Sequence, residues 1–335
     1  MTEQPNPQGI FERIVGFQMS AALATAIELD IFTLIGRGAN TCAKLAEASH
    51  AHERGVRSLC DYFAATGLLR KHDGVYGLTA ESAAFLDRAS PQCLGSIAEF
   101  LHGEMLLAAF GGLTEAVRRG RTSLGERGTM APEHPAWVSF ARGMVPMAAP
   151  QAAQLANIVA RRGLAPRSVL DIACGHGLYG IAIARAQAQV RLTSQDWKPV
   201  LAVAHENAVR AGVAERTTQL AGDAFEVDLG GPHDLALVVN FVHHFTPEDC
   251  VRFFTKLRRA LAPGGQVCVV EFLVNEDRVT PTPPATFSLV MLATTRGGDA
   301  FTEAQLRAML SDAGFRDCAR EEIDGFYASA LFAKA

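Results

Sequence analysis

No two of the seven cysteines are spaced as CxxC; they stand at Cys42, Cys60, Cys93, Cys174, Cys250, Cys268 and Cys318. Such pairs make structural zinc sites, so no metal site is expected, and the odd, scattered count argues against a disulfide framework. Scattered free thiols suit a reducing compartment, so a cytoplasmic protein is expected. No run of eighteen apolar residues free of charge occurs, so no membrane span is expected. The opening MTEQPNPQGIFERIV is polar and lacks the signal-peptide pattern. Positive charge is not in excess: 31 Lys and Arg against 35 Asp and Glu leave a net charge of −4. That provides no global field for nucleic acid, and none is expected as a partner. There is no internal repeat and no low-complexity tract. What is present is 335 residues, 49% hydrophobic and 20% charged, enough for two domains with buried cores.

Apolar residues recur at three- and four-residue steps over 10–36 (Phe11, Ile14, Val15, Ala22, Leu23, Ala26, Ile27), which predicts one long helix. Thr41 can cap a short helix through Ala48, and Glu53 to Leu69 reads as another, with Val56, Leu59, Cys60, Phe63 and Leu68 inward. Two short strands then meet at Asp73-Gly74, a favoured two-residue hairpin turn. Helices followed by a hairpin form a winged-helix pattern. The candidate recognition helix sets only Arg54 and Arg57 against Glu53 and Asp61, which favours a packing and dimerisation role over DNA binding. Phe17, Met19, Ile31 and Phe32 add apolar residues on more than one face, so a homodimer is expected. Residues 91–160 read as helical, interrupted near Gly111-Gly112, Gly120 to Gly128 and Pro132 to Pro135. From 167 onward short apolar strands alternate with helices, the pattern of a parallel sheet covered on both faces. The expected domains are 1–90, a helical linker at 91–160, and an α/β domain at 161–335.

The chemistry concentrates in Val169-Leu170-Asp171-Ile172-Ala173-Cys174-Gly175-His176-Gly177-Leu178-Tyr179-Gly180, an apolar strand running into a glycine turn and a helix. Glycines there let the backbone approach a ligand closely. The segment also fits G-x-G-x-x-G, but Asp171 precedes the glycines, where a carboxylate would repel a pyrophosphate and could meet a cationic amino group. Asp196, ending the next strand, can accept hydrogen bonds from ribose hydroxyls, with Trp197 beside it to cover an adenine face. Asp223, after the third strand, can accept from an adenine amino group. Three acids at successive strand ends fit a ligand bound outside the carboxyl ends of the sheet.

This arrangement resembles the class I methyltransferases, and the whole chain resembles their small-molecule O-methyltransferases of plant and bacterial secondary metabolism. Asn240-Phe241-Val242-His243-His244-Phe245-Thr246-Pro247-Glu248-Asp249-Cys250 stands where that family has LHDWSDEHC. Leu261-Ala262-Pro263-Gly264-Gly265, Met291-Leu292-Ala293-Thr294-Thr295-Arg296-Gly297-Gly298 and Ala313-Gly314-Phe315 match further family segments. The resemblance implies a Rossmann-like S-adenosylmethionine-binding domain behind a winged-helix dimerisation domain. It also implies a reaction: transfer of a methyl group to a hydroxyl of a small, aromatic acceptor. The cofactor set is then Asp171, Gly175, Gly177, Asp196, Trp197, Asp223, Ala224, Phe225 and Asn240.

By position His243 corresponds to the family's catalytic base, and Glu271 to a glutamate that orients it. A phenol loses its proton near pH ~10, so an imidazole that removes it raises the oxygen's nucleophilicity. Phe140, Met144, Met147, Phe287 and Met291 resemble acceptor-pocket residues. Three departures stand out. His244 replaces the usual acid, Ala300 stands where a second glutamate is found, with Asp299 adjacent, and Phe301 replaces an arginine. Side chains alternate along an extended segment, so only one of His243 and His244 is expected to face the acceptor. Rival readings are a relative performing C-methylation or non-methylating chemistry, a winged-helix regulator that senses a ligand, and an NAD-dependent oxidoreductase.

Overall fold

The computed structural model describes residues 6–125, 128–130, 133–325 and 327–335. The first residues of the polar opening, and parts of the interruptions expected at Gly120 to Gly128 and Pro132 to Pro135, lie outside them. The chain divides into two compact units, 1–103 and 104–335. The boundary falls inside the 91–160 segment.

The first unit contains helices α1 (Gln8–Ile14), α2 (Gly16–Glu28), α3 (Ile31–Gly36), α4 (Cys42–Ala48) and α5 (Glu53–Ala65). Strands β1 (Leu69–His72) and β2 (Val75–Leu78) follow, then α6 (Ala80–Phe85) and α7 (Gly95–Leu101). The single helix expected over 10–36 is three. It breaks at Val15 and again at Leu29-Asp30, where Asp30 takes φ +55° and its carboxylate accepts from Arg88. Periodicity misses the second break because Ile31, Phe32 and Ile35 carry the buried face across it. Helix α5 also ends earlier than expected, at Ala65 with Thr66 as its cap, which leaves Leu68 in the connection to β1. Strands β1 and β2 pair antiparallel across Asp73-Gly74, both at positive φ (47° and 77°), as a two-residue hairpin of the primed type requires. Asp61 of α5 accepts from the Tyr76 hydroxyl at 2.7 Å and pairs with Lys71, so the acid opposite Arg54 and Arg57 is committed to holding the hairpin. Ala26, Ile31, Phe32, Leu45, Val56, Cys60, Phe63, Leu69 and Tyr76 form the core. Burying each large side chain there stabilises by roughly 1.5–3 kcal/mol.

The second unit opens with α8 (Glu104–Gly111), α9 (Leu113–Arg119), α10 (Ala136–Gly143) and α11 (Val145–Arg161). Strands and helices then alternate: β3 (Ser168–Ile172), α12 (Leu178–Ala186), β4 (Arg191–Asp196), α13 (Lys198–Arg210), β5 (Thr217–Ala221), β6 (His233–Val239), α14 (Pro247–Arg259) and β7 (Leu261–Phe272). Helices α15 (Thr282–Thr294) and α16 (Glu303–Asp312) precede strands β8 (Arg316–Ile323) and β9 (Ala328–Lys334). The seven-stranded sheet has the order β5-β4-β3-β6-β7-β9-β8. Its first five strands are parallel, whereas β9 runs antiparallel between β7 and β8. Strand–helix alternation does not anticipate that terminal hairpin, which places the apolar Ala328 to Ala333 in the core.

Both faces are covered, and the two-residue period of the strands decides which side chain goes where. Val169 of β3 packs with Leu155 and Val159 of α11 and Ile183 of α12. Its neighbours Leu170 and Ile172 pack with Phe253, Phe254 and Leu257 of α14 and Leu306 and Leu310 of α16. Strand β7 is longer than the apolar run suggests: it takes in Pro263-Gly264-Gly265, with a register shift between His233 and Leu235 on its partner. Strand order reverses between β3 and β6, and ligands of such sheets bind at the carboxyl ends flanking that reversal.

Candidate functional site

Strand β3 leaves the sheet into Ala173-Cys174-Gly175-His176-Gly177 and enters α12. Ala173, Gly175 and Gly177 all take positive φ (46°, 55° and 74°), which the two glycines adopt without strain. The loop is tied to the next strand. Gly175 N donates to Asp196 Oδ2 at 2.8 Å, Cys174 N to Gln195 O at 3.0 Å, and Ala173 N to Gln195 Oε1 at 3.2 Å. Gln195 Nε2 in turn donates to Gly222 O at 2.6 Å. Gln195 thus couples the glycine loop to the turn after β5; in the sequence only its place directly before the strand-end acid marks it out.

Both strand-end acids are buried, and burial raises both: Asp171 to about 7, with the neighbouring Asp196 charge adding to the effect, and Asp196 itself to about 6. Asp171 Oδ2 accepts from Gly180 N at 3.0 Å, so this carboxylate anchors the first turn of α12. Asp196 Oδ1 accepts from Trp197 N at 2.6 Å. Each carboxylate retains lone pairs beyond these contacts. His176 fills the turn: its Nδ1 accepts from Leu178 N at 3.2 Å, and burial pushes it down to about 4, keeping it neutral.

Asp223 closes its own turn by accepting from Phe225 N at 2.9 Å, and Lys256 donates to the carbonyls of Ala224 and Val227 at 3.1 and 2.6 Å. Ala224 is buried, and Phe225 packs among Phe241, Phe245 and Phe253. Trp197 joins Trp137, Val138, Ala141, Val200 and Val203. Asn240, at the end of β6, takes φ +50°, and its buried Oδ1 has no hydrogen-bond partner among the described residues. An acceptor left without a partner is costly. An unpaired acceptor, two buried acids and a glycine loop at neighbouring strand ends together fit a cationic nucleoside such as S-adenosylmethionine.

Next to this lies the histidine pair. Thr246 caps α14, accepting from Asp249 N at 3.2 Å, and the preceding Val242–His244 forms a 3₁₀ turn. Glu271, 2% exposed near the end of β7, serves that turn with both oxygens. Oε1 accepts from the amides of Phe241, Val242 and His243 at 3.0, 3.0 and 3.4 Å. Oε2 lies 2.6 Å from His243 Nδ1. The three amides occupy Oε1, so Oε2 is the oxygen left to accept from the ring. The proton between the ring and Glu271 therefore sits on Nδ1, which leaves the Nε2 lone pair as the ring's basic site.

The clamp continues through backbone: Asp299 N donates to His243 O at 2.9 Å. Its carboxylate pairs instead with Arg278, which also donates to Ala300 O at 2.7 Å. Ala300, which stands where the family has a second glutamate, is buried and apolar and offers His243 no side-chain acceptor.

The backbone at His243 and His244 departs from expectation. The segment is a 3₁₀ turn rather than extended, so neighbouring side chains do not alternate to opposite faces. The two imidazoles are adjacent, centroids 4.3 Å apart. Trp137 meets the His244 ring edge-on at 5.3 Å, and Phe287 meets His243 at 4.9 Å. Phe140, 5.8 Å from Trp137, lies over Gly175, where an added Cβ would fall 3.9 Å from its ring. Met144 and Met147 are half-buried where α10 gives way to α11, and Met291 is buried one turn beyond Phe287. Trp137 had not been singled out from the sequence.

A seven-stranded, mostly parallel sheet with a glycine loop and strand-end acids defines a class I S-adenosylmethionine-dependent methyltransferase. Residues 136–316 match the O-methyltransferase domain and residues 11–88 the O-methyltransferase dimerisation domain. The chain belongs to the O-methyltransferase family. It is 28% identical to the tetracenomycin polyketide synthesis 8-O-methyl transferase of Streptomyces glaucescens, over 97% of this chain and 96% of that protein. It is 30% identical to the mitomycin biosynthesis 6-O-methyltransferase of Streptomyces lavendulae, over 90% and 86%. A solved Nostoc punctiforme structure, assigned as an O-methyltransferase, superposes with TM-score 0.94 at 42% identity, covering 99% of this chain and all of that one. A structure of PigF with S-adenosylhomocysteine gives TM-score 0.89 at 26% identity, over 99% and 100%. The chain is an S-adenosylmethionine-dependent O-methyltransferase, and the NAD-dependent alternative is set aside.

Proposed function

We propose that the acceptor is the hydroxyl of a small aromatic metabolite and that His243 is the base that removes its proton. The observation that carries this reading is the Glu271–His243 pair, which leaves the lone pair on Nε2. Aromatic rings around the imidazoles, Trp137 and Phe287, suit a flat acceptor, and the relatives from polyketide and mitomycin biosynthesis support that class. Bound S-adenosylmethionine supplies a methyl group already activated on a sulfonium centre. The chain's own contribution is to hold the acceptor oxygen in line, accept its proton on Nε2, and keep the imidazole oriented through Glu271. Asp196 holds the ribose hydroxyls, Asp171 and Asn240 the amino-acid end, and Asp223 with Trp197 the adenine. Phe140, Met144, Met147 and Met291 complete the acceptor pocket. The chain works as a homodimer through its first unit, in the cytoplasm. Seven free thiols support a reducing compartment.

The test is incubation with S-adenosylmethionine and a panel of phenols, read by product mass and methyl position. Methoxy products with release of S-adenosylhomocysteine are expected. His243→Ala should lower turnover ~10²–10⁴-fold with little change in cofactor affinity. Unchanged turnover in that variant would remove the base role.

A further inference from the structure

The turn after β5 is gripped from α14 by three side chains at neighbouring positions of that helix. The Phe253 ring meets Phe225 at 5.5 Å, and the Arg252 guanidinium lies 5.1 Å over the same Phe225 ring. Lys256 Nζ donates to Ala224 O at 3.1 Å and to Val227 O at 2.6 Å. The segment it holds is a single turn. The amides of Glu226 and Val227 donate to Asp223 O at 2.9 and 2.8 Å, and Phe225 N donates to Asp223 Oδ1 at 2.9 Å. So short a turn leaves its later carbonyls without partners of its own. Lys256 gathers two of them, and a cation is favoured where carbonyls converge. The ammonium is half-buried, and burial pulls it below its ordinary range, while the charges of Glu226, Asp223 and Asp228 act the other way.

The other end of the turn is tied to β4. Gly222 N donates to Asp196 O at 3.1 Å, and Gln195 Nε2 donates to Gly222 O at 2.6 Å. Asp223 stands between these ties and the lysine. With Oδ1 committed to Phe225 N, the aim of Oδ2 depends on where the turn stands. We propose that Lys256 is a positioning residue for nucleobase recognition: it fixes the turn so that Asp223 accepts from an amino group of the base and rejects a carbonyl at the same place. This rests on the reading of Asp223 as the group that holds the adenine. An ionised carboxylate only accepts, so it binds the amino group of adenine and repels the carbonyl oxygen of hypoxanthine. A turn free to swing would withdraw the carboxylate from that oxygen and admit either base. A rigid one keeps the mismatch unpaired, and an unpaired polar group is what makes such discrimination large.

The experiment measures, by titration calorimetry on the full chain, the affinities for S-adenosylhomocysteine and S-inosylhomocysteine, which differ in the base alone. The proteins are the parent, Lys256→Met, Lys256→Arg and Asp223→Asn. Methionine keeps the unbranched stem and removes the donors, whereas arginine keeps donors for both carbonyls. The preference for the adenine nucleoside is expected to fall at least ~10-fold in Lys256→Met, with S-inosylhomocysteine affinity little changed, and to be largely kept in Lys256→Arg. Asp223→Asn should lose the preference too, because its amide can donate to the hypoxanthine carbonyl. If Lys256→Met does not fold, Lys256→Gln, which reaches at most one of the carbonyls, takes its place with the same expected direction. Equal weakening of both ligands in Lys256→Met overturns the proposal, because a merely structural lysine would act on both. An unchanged preference in Lys256→Met, with the preference lost in Asp223→Asn, overturns this proposal alone. A preference unchanged in Asp223→Asn, or absent from the parent, overturns the adenine reading of Asp223 and this proposal with it.

Discussion

Glu271 and His243 meet at 2.6 Å, and the same carboxylate receives three amides from the turn that carries the histidine. One side chain therefore fixes both where the imidazole stands and which of its nitrogens is protonated. Glu271→Gln separates the two effects. The amide oxygen can still accept from the turn, but its NH₂ group would face Nδ1 and force the proton to Nε2. Turnover should fall on the order of 10²–10⁴-fold, while the fold and S-adenosylmethionine affinity are retained. Single-turnover kinetics beside calorimetric binding would check this. A variant with near-parental turnover would show that the tautomer is not set here.

Cofactor binding should release protons near pH 6. Burial raises Asp171 to about 7 and Asp196 to about 6 in the ligand-free protein. Ribose hydroxyls and a cationic amino group both favour the ionised carboxylates, so both values fall on binding. Affinity should rise as pH climbs through that window. Titration calorimetry in two buffers of different ionisation enthalpy measures the release, and none at pH 6 would mean that the acids are already ionised. For stability the sign is opposite. Folded values raised above the ordinary 3.8 mean a contribution that is complete below about pH 4 and lost as pH rises through 6 and 7.

Gly180→Ala should destabilise the second unit by roughly 1–3 kcal/mol. An added Cβ would lie 2.6 Å from Leu192 Cδ1 and 2.8 Å from Asp171 Oδ2, against the hydrogen bond that anchors α12. Differential scanning calorimetry should give a melting temperature lower by several degrees. An unshifted melting temperature would show that β4 yields without cost.

The homodimer should depend on the start of the chain. Helix α1 buries no residue, and Phe11 and Phe17 are 64% and 70% exposed. Apolar surface of that extent is normally covered by a partner. A Phe11→Asp, Phe17→Asp double variant is expected to sediment as a monomer; a variant that remains dimeric would move the interface elsewhere.

The catalytic fold was legible in the sequence because its signals are local. The strand–glycine–helix run, the acids at Asp171, Asp196 and Asp223, and the His243 segment each occupy a few consecutive residues. So was the hairpin, since Asp73-Gly74 encodes its own turn. The helix over 10–36 was misread for the same reason: its apolar face persists through Asp30, and only packing shows the chain turning there. The terminal strands β8 and β9 were missed because a hairpin that adds antiparallel to the edge of a parallel sheet is chosen by the sheet.

What the sequence determined by itself was the class of enzyme, through residue types held at fixed short spacings. Tertiary structure decided the roles inside the site. Asp171 and Asp196 were legible as acids, but their raised values come from burial among elements far apart in the chain. Glu271 lies 28 residues beyond His243, and only the pairing of β6 with β7 brings them together. His243 and His244 were expected to point to opposite faces because adjacent residues of a strand do. It lies beside His243 because a carboxylate from another strand binds the amides of Phe241, Val242 and His243 around one oxygen, and that fixes the chain as a 3₁₀ turn.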